Sequence, residues 1–158
     1  MRDATKINEY FSGDKALFLI PLYQRKYAWQ RKHCERLFSD LMKVSKENRK
    51  SHFFGSIVAI KANDVDDDLL IIDGQQRITT ISLIILAAVQ AYRDNIIESE
   101  QGDEYVNDMV NKYLMAKYRK GDRKIKLRPI ESDRLAYDAI IAGESEKFIP
   151  ADKSGITH

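Results

Sequence analysis

The sequence predicts an α/β (α+β) fold built around one buried helix, and three observations carry that prediction. Leu69 to Ile72 is a four-residue apolar run without alternation, as expected of a strand covered on both faces. Asp73-Gly74 breaks it. From Gln75 to Arg93 the period becomes helical: Ile78, Ile81, Ile85, Ala88, Val89 and Tyr92 return on one face, while Leu83, Ile84, Leu86 and Ala87 fill another. A helix apolar nearly all round belongs in the core, so residues 75–93 are predicted to be its central helix.

Taken in order, Ala4 to Phe11 reads as a short helix and Ala16 to Ile20 as a strand ending at Pro21. Cys34, Leu37, Phe38, Leu41 and Met42 recur at helical spacing opposite Arg36, Asp40 and Lys43, which predicts an amphipathic helix over Lys32 to Glu47. Phe53 to Ile60 reads as a strand containing Gly55, next to Leu69–Ile72 across the polar stretch Lys61 to Asp68. Asp64, Asp66, Asp67 and Asp68 read as a solvated turn, since a calcium loop of EF-hand type needs glycine where Leu69 stands. Tyr105, Val106, Met109, Val110, Tyr113 and Leu114 predict a helix from Asp103 to Tyr118. A strand is predicted over Lys124 to Arg128, then a helix capped by Ser132 or Asp133 and ended by Gly143. The expected division is one domain over residues 1–143, with 144–158 as a tail or the start of a missing region.

Composition bounds the function more than it names it. The net charge of +2 is too mild to imply nucleic-acid binding by itself. Cys34 is the single cysteine, which excludes an internal disulfide and a cysteine-based zinc site. No apolar run reaches the roughly 18 residues of a membrane span and no signal peptide opens the chain, so no membrane role and a cytoplasmic location are expected. The P-loop, the G-x-S-x-G nucleophile elbow and H-E-x-x-H are absent, and His33, His52 and His158 are scattered.

Two stretches carry chemistry. At the strand–helix junction, Asp73, Gly74, Gln75, Gln76, Arg77, Thr79 and Thr80 surround a first helical turn, whose free N–H groups and dipole attract anions. Gly74 lets the backbone approach a ligand, and Arg77 offers a fork of donors to phosphate oxygens. Asp73 suits a sugar hydroxyl or a metal. The other reading of the same residues is a plain Asp-Gly turn capping a core helix. Pro21 to Lys32 interleaves Tyr23, Tyr27 and Trp29 with Arg25, Lys26, Arg31 and Lys32, a mixture suited to phosphates and flat bases, or else to anchoring the segment on the core. A second basic run includes Lys120, Arg123 and Lys124 and reads either as a nucleic-acid contact or as a solvated face.

The two stretches together resemble a known family. Ile20-Pro21-Leu22-Tyr23-Gln24-Arg25-Lys26-Tyr27-Ala28-Trp29 is similar to its I-P-x-Y-Q-R-x-Y-x-W signature, and Asp73-Gly74-Gln75-Gln76-Arg77-Ile78-Thr79-Thr80 to its D-G-Q-Q-R-x-T-T signature; Phe53-Phe54-Gly55-Ser56-Ile57 falls between them in the family's order. The family is the N-terminal domain of GmrSD-type, modification-dependent (type IV) restriction proteins, in the ParB and sulfiredoxin-like superfamily. The resemblance implies a small mixed sheet packed with helices, a nucleotide (GTP or ATP) bound with Mg2+ at the Asp73–Thr80 turn, and hydrolysis coupled to antiviral defence against modified DNA. Arg77 and the backbone of Gly74 to Gln76 would hold phosphates, with Thr79 or Thr80 adding a hydroxyl. Asp73 would place the metal, Gln75 or Gln76 would orient water, and Tyr23, Gln24 and Arg25 would close the site. Tyr27, Trp29, Arg31 and the run from Lys120 to Arg128 would touch DNA if the chain were a non-catalytic DNA-binding module instead. Cleavage would fall to an HNH-type nuclease domain, in cis or in trans, for which this chain has no histidine cluster. Assembly as a homo-oligomer is left open.

Overall fold

The computed structural model describes residues 11, 16–49, 53, 55–64, 67–117 and 123–141, so the expected N-terminal helix before Phe11 and the boundary at Gly143 lie outside the described residues. A four-stranded mixed sheet forms the centre. Its strands are β1 (Phe18–Leu19), β2 (Val58–Lys61), β3 (Leu69–Asp73) and β6 (Leu127–Arg128), in the order β2-β3-β1-β6. β1 is parallel to both its neighbours, Phe18 pairing with Leu69 on one side and Leu127 on the other. β2 closes one edge as the antiparallel partner of β3. Four α-helices accompany these strands among the described residues: α1 (Arg31–Lys46), α2 (Gln75–Arg93), α3 (Gly102–Met109) and α4 (Glu131–Ile141). This is the predicted α+β class, with the 75–93 helix at the predicted bounds.

The core follows from these pairings. Phe18 and Ile71, from adjacent strands, are fully buried with Ile78 of α2, Leu127 of β6 and Phe11, and Tyr137 of α4 completes the cluster. Phe11 meets Phe18 edge-on at 5.1 Å between ring centroids, a favoured aromatic geometry.

Several local expectations are corrected. The strand expected over Phe53–Ile60 shrinks to Val58–Lys61, because Gly55 has φ +107° and takes the chain out of the extended region. The helix expected to Tyr118 stops at Leu114. Beyond α3 the coil widens into a π-turn over Val110–Leu114, and Met115–Lys117 becomes β4, paired antiparallel with β5 (Arg123–Ile125). The strand expected over Lys124–Arg128 divides at Lys126. That lysine is buried, and its ammonium donates to the carbonyls of Phe11 and Lys112, the latter at 2.7 Å. Asp68, expected in a solvated turn, is buried and accepts the Leu17 N–H at 3.0 Å, fixing the chain just before β1. No helix among the described residues is long and apolar enough to cross a membrane.

Candidate functional site

The junction between β3 and α2 is assembled from three distant stretches. Gly74 caps α2 with φ +90° and ψ 11°, a left-handed conformation open to glycine at little cost. A Cβ there would stand 2.9 Å from the Ser56 carbonyl oxygen and 3.0 Å from the Ile57 side chain. The close approach that Gly74 permits is therefore made by the protein's own 56–57 backbone. One turn on, Arg77 donates to the Ser56 carbonyl at 2.5 Å and lies 3.4 Å from the Asp73 carboxylate, while its guanidinium takes the space beside Gly55, where a Cβ would stand 3.1 Å from it. The Nε of Arg77 is buried without a hydrogen-bond partner.

The Pro21–Trp29 segment is held by the two glutamines of the same turn. Both are buried, which a polar pair at a helix start does not announce. The Gln75 amide donates to the Arg25 carbonyl at 3.1 Å. The Gln76 amide donates to the Lys26 carbonyl at 3.1 Å and accepts the Ala28 N–H at 2.7 Å, a reciprocal clamp that fixes which end of the amide is nitrogen. Gln24 returns the contact by donating to the Ile72 carbonyl at 2.9 Å. Asp133 at the start of α4 accepts the Tyr27 N–H at 2.7 Å.

Tyr27 extends the clamp inward. Thr80 donates its hydroxyl to the Gln76 carbonyl at 2.7 Å, which spends its one proton; the Tyr27 hydroxyl, 2.8 Å away, is then the donor to Thr80 and is left to accept from the Cys34 thiol at 3.5 Å. Burial pushes the Tyr27 phenol up to about 12. Burial also raises Tyr137, with a bond to Ser82 working against it.

Between this clamped segment, α2 and α4 lies a cavity of about 330 Å³. Ile20, Leu83, Pro129, Ile130, Ala136, Tyr137 and Ile140 give it a mainly apolar wall; Arg25, Tyr27, Gln75, Gln76, Thr79, Ser132 and Asp133 supply the polar groups. A concave apolar pocket with a few convergent polar groups is the usual form of a small-molecule site.

The predicted site residues therefore fall on two sides of one helix end. Gln75, Gln76 and Thr79 face the cavity with Arg25 and Tyr27. Arg77, about 200° around the helix from Gln75, turns with Asp73 and Gly74 toward Gly55–Ser56 and does not line that cavity. Arg25, expected to close the site at which Arg77 holds phosphates, thus lines a cavity that Arg77 does not enter. Thr80 is buried against Tyr27, and Tyr23 is exposed. Trp29 is half-buried with its ring 6.0 Å from that of His33, and Arg31 stands in solvent paired with Glu35 at 2.6 Å. Lys120 lies outside the described residues; Arg123 and Lys124 are in β5, and their side chains are not described.

The sequence reading missed the share of α4. Asp133 was visible only as a helix cap, and Tyr137 carried no local signal, because their partners lie 50 or more residues away. Gly55 and Ser56, seen only as part of a motif, form the seat of Arg77. Among the described residues no three His, Cys, Asp or Glu side chains gather as a metal cage.

Comparison with known proteins adds one assignment. The model of the family described as GmrSD restriction endonuclease, N-terminal domain, matches residues 7–156. Comparison with curated proteins found no match.

Proposed function

The chain belongs to that family, the N-terminal domains of GmrSD restriction endonucleases, and from this premise we propose that it is the nucleotide-binding sensor domain of a modification-dependent restriction and defence protein, in the wider ParB and sulfiredoxin-like superfamily. The observation that carries the reading is the cavity at the amino end of α2, where Arg25 stands beside the first helical turn and an apolar wall follows. The wall suits a nucleobase. The first turn, with Arg25 beside it, suits its phosphates by charge and by dipole.

The residues present fit a magnesium ion of the kind that accompanies nucleotides. Mg2+ keeps several waters and takes only one or two carboxylates beside the substrate phosphates. Asp73, its side chain 68% exposed at the turn and outside the cavity lining, would be that carboxylate through one of the waters the ion keeps. The ion would supply positive charge against the phosphates. The chain's own groups do the rest: Arg25 neutralises charge, Gln75, Gln76 and Asp133 fix the segment that carries it, and Arg77 holds the 55–56 backbone against the turn.

Turnover is the finer part of the proposal. The reading is an NTPase that hydrolyses GTP or ATP, with modified DNA as the sensed partner, a nuclease domain in cis or in trans as the effector, one domain over residues 1–143 and a cytoplasmic setting. Gln76 acts here as a positioning residue, since orienting a water would require giving up both of its bonds to the 26–28 backbone. That engagement favours a second reading, in which the pocket binds its ligand without chemistry. Titration of the chain with ATP, GTP, CTP and UTP in magnesium, followed by phosphate release, separates the two. Saturable binding that Arg25→Ala weakens about tenfold supports the site. Absence of binding to all four nucleotides overturns it.

A further inference from the structure

The amphipathic helix α1 has an apolar face that the described residues leave largely open. Leu37 is its one buried residue, whereas Phe38, Leu41 and Met42 are 52%, 38% and 41% exposed. They stand at i, i+3 and i+4, so they form one ridge on adjacent turns instead of three scattered side chains. The ridge lies apart from the cavity, which α1 does not line.

The charges beside the ridge say what fits it. Glu35 and Lys46 lie on the same flank, about 20° apart around the helix, one five residues before Asp40 and the other six after it. When two identical helices pack antiparallel, residues of the same flank meet across the seam, and a two-fold axis makes each contact twice. A pair centred near Asp40 sets Phe38 against Met42 of the second copy and Glu35 against the second copy's Lys46. A parallel pair would bring opposite flanks together, so Glu35 and Lys46, which share one flank, would not meet across its seam. The end cations Arg31 and Arg49 already hold Glu35 at 2.6 Å and Glu47 at 2.5 Å within the chain, which limits their repulsion of one another. A flank carrying both signs in this order is complementary to itself, not to a uniformly acidic surface.

We propose that α1 is a self-docking helix, through which two copies of this chain associate antiparallel by the Phe38–Leu41–Met42 ridge. One helix pair is smaller than the ~1,600 Å² of a standard interface, so the dimer is weak and depends on concentration.

Sedimentation equilibrium of the full chain over a concentration series tests this. The weight-average mass is expected to climb from the monomer toward twice its value, without nucleotide. Phe38→Glu with Met42→Glu is expected to stay monomeric at unchanged helical circular dichroism. Glu35→Lys and Lys46→Glu, both at surface positions independent of the core, should each weaken association about threefold, and their combination should restore it. A monomer throughout the series, a dimer indifferent to the ridge variants, or a charge swap that fails to restore association overturns the proposal.

Discussion

Gln76 offers the sharpest test of how the site is built. Its amide makes two bonds to the 26–28 backbone, at 3.1 and 2.7 Å, from a side chain only 7% exposed. Net contributions of about 1 kcal/mol per bond give a loss of about 2 kcal/mol for Gln76→Met, which keeps the length and removes both polar atoms. For a domain of this size that lowers Tm by about 4–8 °C. Gln76→Glu should be worse, although it differs from glutamine by one group: a carboxylate oxygen would face the Lys26 carbonyl in place of a donor, a repulsion in a buried place. The assay is urea unfolding at neutral pH, with circular dichroism and the single Trp29 as probes. If Gln76→Glu matched the native stability, the clamp as described would be refuted. If Gln76→Met fell while Gln76→Glu did not, the acceptor half of the clamp, to the Ala28 N–H, would be holding the segment by itself.

Other expectations follow from the same geometry. Gly74→Ala should cost about 2 kcal/mol or more, since it adds left-handed strain to a Cβ at 2.9 Å from the Ser56 oxygen, and a melting point within a degree of the native one would contradict this. Raised to about 12 from 10, the Tyr27 phenol holds its proton more tightly in the folded state, so its share of stability is whole below pH 10 and is lost as pH rises from about 10 to 12. Tyr27→Phe should therefore flatten that alkaline decline in unfolding experiments, though not abolish it, because Tyr137 is raised in the same sense. Arg25→Ala, at the cavity wall, is expected to lower nucleotide affinity about tenfold, about 1.4 kcal/mol, read by calorimetric titration against native protein of equal fold. The chain alone should leave modified and plain DNA uncut in magnesium or manganese; metal-dependent cleavage that survives purification and disappears in Asp73→Ala would make the junction itself a nuclease centre.

What the sequence made legible was whatever depends on near neighbours. The run Leu69–Ile72, the break at Asp73-Gly74 and the period of residues 75–93 depend on contacts within a few residues, and the strand, turn and helix stand where that pattern puts them. The helix from Asp103 was overextended because Tyr113 and Leu114 keep an apolar period while Met115–Lys117 pair with a strand that the period cannot reveal. Burial of Gln75, Gln76 and Asp68 was hidden for the same reason. Each is satisfied by a partner about 50 residues away, so a local reading leaves these groups in solvent. The functional residues were named from motifs, yet their sorting onto two sides of the helix end needed the positions of Gly55, Ser56 and Asp133.

The way Gln75, Gln76 and Asp133 grip the 25–28 segment has a consequence for how such a pocket changes over time. Every one of these contacts is to a carbonyl or an N–H, never to the side chain of Arg25, Lys26 or Ala28. The path of the segment is thus set independently of the letters written along it. Residues 25, 26 and 28 are free to be exchanged for others of different charge or size while the frame holds them at the same places, so ligand preference at the rim can drift or be redesigned without refolding the site. Proline is the exception at 28, because it would remove the N–H that Gln76 receives.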